Sequence, residues 1–150
     1  MAFSLSNRSK GKLEGVHPEM VSVVERAIEL TKIDFGVIYG MRTQEEQQKL
    51  FDAGKSQTMK SKHLTGDAVD LMAYVDGKAS WELNLYDDLA DAMKWAATEE
   101  GVVVRWGAAW HIDDISTWDG TMEEAMMAYI DLRRSEGRRP FIDGPHFELN

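Results

Sequence analysis

The sequence predicts a single α+β domain in which helices pack on a small sheet. Three observations carry this expectation. The 150 residues are enough for one domain with a real core, and 43% of them are hydrophobic. Stretches with apolar residues at helical spacing alternate with short stretches rich in Val, Ile and aromatic residues. No internal repeat, low-complexity tract or Pro-rich linker divides the chain.

In chain order, residues 1–16 are polar and contain glycine, and are expected to form a loosely packed arm. Pro18 suits a first helical position, and Met20, Val23, Val24, Ala27, Ile28 and Thr31 follow at helical spacing, so a helix is expected over 18–31. Residues 33–39 read as a strand broken by Gly40. Thr43 and Glu46 form a capping box, which predicts a helix over 44–53 that stops at Gly54. Residues 55–62 lack periodicity and read as a loop; a strand over 67–74 follows, and Asp76-Gly77 signals a turn. Ser80 is expected to cap the longest helix, 81–99, which buries Leu85, Leu89, Ala92, Met93 and Ala96 and ends at Gly101. Val102 to Arg105 form a short strand leading into Trp106-Gly107. Thr121 and Glu124 form a second capping box, opening a helix over 122–135. Trp81 and Trp95 read as core residues, while Trp106 reads equally well as core or as the wall of a cleft.

The net charge of −9 argues against nucleic acid or an anionic membrane surface as partner, and no Lys/Arg cluster offsets it locally. No apolar run approaches the roughly 20 residues of a membrane span, and the N-terminus lacks the basic-then-apolar pattern of a secretory signal. The chain has no cysteine, so neither a disulfide nor a thiolate metal site is available.

Two distant stretches carry the chemistry. Ser61-Lys62-His63-Leu64-Thr65-Gly66-Asp67-Ala68-Val69-Asp70 sits mid-chain, and Asp143-Gly144-Pro145-His146-Phe147-Glu148-Leu149 lies at the far end. Asp70 falls within an apolar strand, where a carboxylate is costly unless it is paired or binds a metal. On a strand, His146 and Glu148 share one face, opposite Phe147 and Leu149. Imidazole and carboxylate are the ligands of a catalytic zinc, three from the protein with one position open. His63, Asp70 and His146 are therefore the candidate zinc ligands, one ion per chain, and Asp143 the candidate general base. Glu148 is the rival base, or else a residue that orients a ligand. His17 and His111 are rival ligands with no motif around them. Arg42 stands at a strand-to-helix corner, where a guanidinium and helix amides can converge on an anion; the alternative is an ordinary surface arginine. Asp113, Asp114 and Asp119 could bind Ca²⁺, but they lack an EF-hand's spacing and glycine and read better as an exposed acidic loop.

Ser-x-His-x-x-Gly-x-Ala-x-Asp, from Ser61 to Asp70, resembles the first zinc motif of the LAS-type peptidases, and Asp143-x-x-His146-Phe147-Glu148 resembles their second. These enzymes comprise D-alanyl-D-alanine carboxypeptidases and dipeptidases and the L-alanyl-D-glutamate endopeptidases of phage endolysins. Tyr39-Gly40-Met41-Arg42-Thr43 with Gln47 is similar to the family's substrate-binding Arg segment, and Trp106-Gly107 to its Trp-Gly stretch. The resemblance runs from Val37 to Leu149. It implies a mostly antiparallel sheet carrying the zinc site, Asp143 as base, and Arg42, Gln47, Ser61 and Trp106 as substrate contacts, with Glu148 behind His146. The chain departs from the family in a helical segment, 111–142, inserted between the Trp-Gly stretch and the second motif.

The function expected is cleavage of the peptidoglycan stem peptide, as an L-alanyl-D-glutamate endopeptidase in host lysis. The alternatives are a D-alanyl-D-alanine carboxypeptidase or dipeptidase and a non-catalytic zinc-containing binding domain. A monomer is expected, made in the host cytoplasm and acting on the wall after release.

Overall fold

The computed structural model describes residues 3–56 and 60–150. Local signals set most of the elements. Pro18 opens α2 (Pro18–Leu30), where His17 Nδ1 accepts from the Glu19 amide. It follows α1 (Asn7–Lys12) and leads into β1 (Asp34–Tyr39). The Thr43/Glu46 capping box starts α3 (Gln44–Asp52). After β2 (Ala68–Val75), Asp76 and Gly77 both take positive φ, the backbone of a two-residue hairpin, and β3 (Lys78–Ser80) returns along β2. The longest helix, α4 (Leu83–Glu100), ends on Gly101 at φ 68° and leads to β4 (Val104–Trp106). Thr121 and Glu124 cap α5 (Met122–Ser135), and β5 (His146–Leu149) completes the order.

The sheet runs β1-β2-β5-β4, with β3 on the far half of β2, and every pairing among the described residues is antiparallel. Val69, Leu71 and Ala73 of β2 turn into a core shared with Met20, Val23 and Val24 of α2 and Leu89, Met93 and Ala96 of α4. Asp70, at the alternate position, points to the other face. No helix is long and apolar enough to cross a membrane among the described residues.

Several expectations need correction. The segment expected as a loose arm over 1–16 contains α1, and it buries Leu5, Leu13 and Val16; Ser9 Oγ accepts from the Val37 amide at 3.0 Å. Its few apolar residues suffice because they join the common core while α1 docks on β1, and no apolar stripe of its own is needed. The long helix starts later than 81: Glu82 is its N-cap, and Ser80 Oγ accepts from the Glu82 amide instead of capping the helix interior. Trp81 and Trp95 are 61% and 65% exposed, not core. Trp95 lies off the Leu89/Met93/Ala96 stripe, and Trp81 precedes the helix.

Candidate functional site

The register of the sheet builds the site. Asp70 on β2 pairs directly with His146 on β5, so their side chains share one face. His63 arrives from a 3₁₀ turn, Lys62–Thr65, capped by Ser61, whose Oγ accepts from the His63 amide at 3.2 Å. Gly66 closes that turn at φ 76°, where a Cβ would also lie 2.4 Å from the Gly15 carbonyl oxygen. Gly40 is as tightly held: a Cβ there would lie 2.0 Å from the Lys12 carbonyl oxygen. The N-terminal segment therefore backs the loops that carry His63.

His63 Nε2 and His146 Nδ1 both approach Asp70 Oδ1, each at 3.2 Å. The opposite ring nitrogens are committed elsewhere. His63 Nδ1 lies 2.8 Å from the Gly40 carbonyl oxygen, which can only accept, so this nitrogen carries a proton. His146 Nε2 lies 2.8 Å from Glu148 Oε1 and donates to it in the same way. Each imidazole thus turns its other nitrogen inward, the arrangement that partners behind a metal-ligating histidine enforce. Both rings are buried. Burial alone would lower the His146 pKa, but its hydrogen bonds to Asp70 and Glu148 outweigh burial and raise it to about 9. Burial would likewise raise the Asp70 pKa, but the hydrogen bonds from His146 and His63 hold it well below the usual carboxylate range. Glu148 follows the same pattern: burial opposes the shift, and His146 and Lys62 keep its pKa low. Lys62 Nζ sits 3.3 Å from Glu148 Oε2.

Ligand atoms of His63, Asp70 and His146 all lie within 4.8 Å of one another, the one such group of three among the described residues. Two imidazole nitrogens and a carboxylate oxygen make a donor set that fits zinc. The rival histidines do not join it. His17 caps α2, and His111 stacks on Tyr129 at 5.7 Å. The acidic loop does other work as well: Asp114 Oδ1 accepts from the Ser116 amide and hydroxyl.

Asp143 reaches the site through a tight turn, in which the His146 amide donates to the Asp143 carbonyl at 3.1 Å. Gly107 clamps this turn by two backbone bonds, Asp143 N–H to its carbonyl and its own N–H to the His146 carbonyl, both 2.8 Å. Burial first, and then the nearby Asp70 carboxylate, push the Asp143 pKa up.

These groups open on a cleft of about 640 Å³. Arg42 lines it, with its guanidinium donating to Gln47 Oε1 at 2.7 Å, 4.0 Å from Asp70 Oδ2 and stacked over Tyr39. Ser61 lines it too. Two residues expected as substrate contacts do not. Gln47 is wholly buried, with Nε2 donating to Ser56 Oγ, and its amide holds Arg42 in place. Trp106 is also wholly buried; its indole Nε1 donates to the Gly144 carbonyl at 2.7 Å, so it anchors the Asp143–His146 turn from behind. The aromatic walls are instead Tyr39, Trp81, Trp110 and Phe141. Trp110 lies 5.6 Å from the His146 ring and 6.2 Å from Phe141. Arg105 donates to the Trp110 carbonyl and stacks over its ring. Trp110 stands just before the 111–142 segment and Phe141 near its end; the position of Trp110, three residues after Trp106-Gly107, is a signal that could have found it, and Phe141 had none.

A family model described as phage L-alanyl-D-glutamate peptidase matches residues 1–150. An L-alanyl-D-glutamate peptidase of Escherichia phage T5 is 35% identical over 131 residues, covering 80% of this chain and 96% of that one. The crystal structure of the Serratia marcescens L-Ala D-Glu endopeptidase ChiX aligns with a TM-score of 0.72 and 35% identity, covering 96% of this chain and 87% of that one.

Proposed function

The chain belongs to the phage L-alanyl-D-glutamate peptidase family, and on that premise we propose that it hydrolyses the L-alanyl-D-glutamate bond of peptidoglycan stem peptides with one zinc ion held by His63, Asp70 and His146. The observation that carries the proposal is the convergence of two inward-turned imidazole nitrogens on one Asp70 oxygen, each ring fixed by a partner at its back. Bound there, zinc would supply a Lewis acid for the scissile carbonyl and water acidified to a pKa of about 7.

The protein's own groups do the rest. Asp143 takes the proton of the attacking water and delivers it to the leaving amine of D-glutamate. Glu148 is already engaged by His146 and Lys62, which suits it to orienting a ligand rather than to proton transfer. Arg42, steadied by Gln47, docks the free α-carboxylate of D-glutamate beside the scissile bond. Ser61 accepts from the His63 amide and keeps its hydroxyl proton to donate to substrate. The protein acts as a monomer on the cell wall after release from the cytoplasm of the host.

Mass spectrometry of digested, purified peptidoglycan tests the bond, and metal analysis tests the site. The expected result is new amino-terminal D-glutamate and one zinc per chain. Release of D-alanine alone would overturn the bond assignment. Unchanged zinc in a His63→Ala, His146→Ala double variant would overturn the ligand set.

A further inference from the structure

We propose that Trp81 is a stacking platform for the glycan that carries the stem peptide, so that the cleft reads sugar as well as peptide. The inference rests on the peptidase reading above. Trp81 lines the same cleft as Asp70, Asp143 and His146, yet it is 61% exposed. Its ring lies almost parallel to Tyr86, 9° between planes and 6.1 Å between centroids. Tyr86 is buried and pinned, its hydroxyl donating to the Ser80 carbonyl at 2.8 Å and accepting from the Ala73 amide at 3.2 Å. One face of the indole is therefore backed by a fixed ring and the other is open. A flat, rigid aromatic face with water on one side suits the apolar C–H face of a pyranose.

A structural role exists beside this one. Trp81 precedes the N-cap Glu82 and packs on the fourth helical residue, Tyr86, which is a hydrophobic staple. A leucine would serve that purpose, and the indole presents much more surface than a staple uses.

The sheet register gives the platform its direction. β1 flanks β2 on one side, and β3 and β5 flank it on the other. Arg42 follows β1, Trp81 follows β3, and Asp70 lies on the strand between them. A stem peptide with its D-glutamate carboxylate on Arg42 and its scissile bond at Asp70 sends its L-alanine end toward Trp81. Only that one residue, about 3.5 Å of extended chain, and the short lactyl group it is joined to separate the scissile bond from the ring of muramic acid. The sugar thus has to emerge on the Trp81 side.

The test compares kcat/KM for a disaccharide-linked stem peptide with that for the same peptide carrying an N-acetyl group in place of the sugar. Trp81→Leu keeps the staple and removes the platform. The ratio of the two kcat/KM values should fall about 2- to 12-fold, the range of an aromatic stacking contact, and Trp81→Phe should recover part of it. Because both substrates meet the same enzyme sample, partial destabilisation of the variant cancels in the ratio. A ratio unchanged by Trp81→Leu overturns the platform alone. A wild-type protein that cleaves neither substrate overturns the peptidase reading and the platform with it.

Discussion

Replacing Gly107 with alanine adds a single methyl group at the seam that places both Asp143 and His146. The new Cβ would sit 2.3 Å from the Asp143 carbonyl oxygen and 3.0 Å from His146 Cβ, where ordinary contact begins at 3.4 Å. One side of the seam must retreat by about 1 Å to restore that contact. Backbone atoms lie on both sides, so no side-chain rotation can absorb the shift. The retreat also stretches the two 2.8 Å backbone bonds that clamp the turn. A misplacement of about 1 Å in a catalytic group costs on the order of 10²-fold in rate, and overpacking of this kind costs about 1–3 kcal/mol of stability. The assay is kcat/KM on a soluble stem peptide, with zinc affinity measured by chelator competition and stability by denaturant unfolding. Gly11→Ala is the control: a Cβ there meets nothing within 4 Å, and alanine in a helix is favoured by up to about 1 kcal/mol. If Gly107→Ala retains wild-type turnover and zinc affinity, the seam does not position these groups and the reasoning fails.

Asp143→Ala should lower kcat by about 10²- to 10⁴-fold while zinc stays bound; Glu148→Ala should weaken zinc binding by about 10- to 100-fold with a smaller loss of kcat at saturating metal. The opposite pattern would exchange the two roles. Arg42→Ala should cost about 1.5–3 kcal/mol, roughly 10- to 150-fold in kcat/KM, and Arg42→Lys should recover only part because it lacks the planar fork. Amidating the D-glutamate α-carboxylate should harm the wild type and hardly affect Arg42→Ala; losses that simply add would show that Arg42 does not touch that group. Asp87 is buried on α4, and burial, with Asp88, Glu123 and Asp91 nearby, raises its pKa to about 6. A raised carboxylate pKa means that the folded state holds its proton more tightly than the unfolded state, so this group erodes stability as pH rises from about 4 to 6. Asp87→Asn should therefore add about 1–2 kcal/mol at pH 7 and almost nothing near pH 3.5; denaturant midpoints showing the same gain at both pH values would refute it.

What was legible in the sequence is local. The Thr43/Glu46 and Thr121/Glu124 boxes fix their helix starts with atoms three residues apart, and Gly101 ends α4 in the expected way. Asp70 stood out as a carboxylate within an apolar strand, His146 by its alternation with apolar residues, and His63 by its place in the motif that ends at Asp70; the structure brings the three together. What was not legible depends on partners far along the chain. The N-terminal segment looks too polar for a core, yet Leu5, Leu13 and Val16 need only one docking surface each. Indoles suit core and cleft alike, so the sequence leaves Trp106 open between the two and wrongly places Trp81 and Trp95 in the core. Trp106 is drawn inside by the Gly144 carbonyl, 38 positions away, whereas Trp81 and Trp95 stay at the surface. The inward nitrogen of His63 is chosen by the Gly40 carbonyl, 23 positions away. Gln47 has the spacing of a substrate contact, but its amide is used up within the protein on Arg42 and Ser56.

The place of β5 between β2 and β4 ties the chemistry to the order of folding. Asp70 and His146 are 76 positions apart, and the strand that delivers His146 fills the middle of the sheet, not its margin. Bringing such distant segments together costs on the order of 4 kcal/mol in loop-closure entropy, with no local contact to repay it early, which is the topology of slow folding. An intermediate with α2, α4 and the β1–β2–β3 meander already packed would be well structured and still lack one imidazole, the Asp143 turn and half of the cleft. Hydrolytic competence and closure of the sheet are then a single event, and the first turnover of a refolding chain serves as a clock for its last long-range contact.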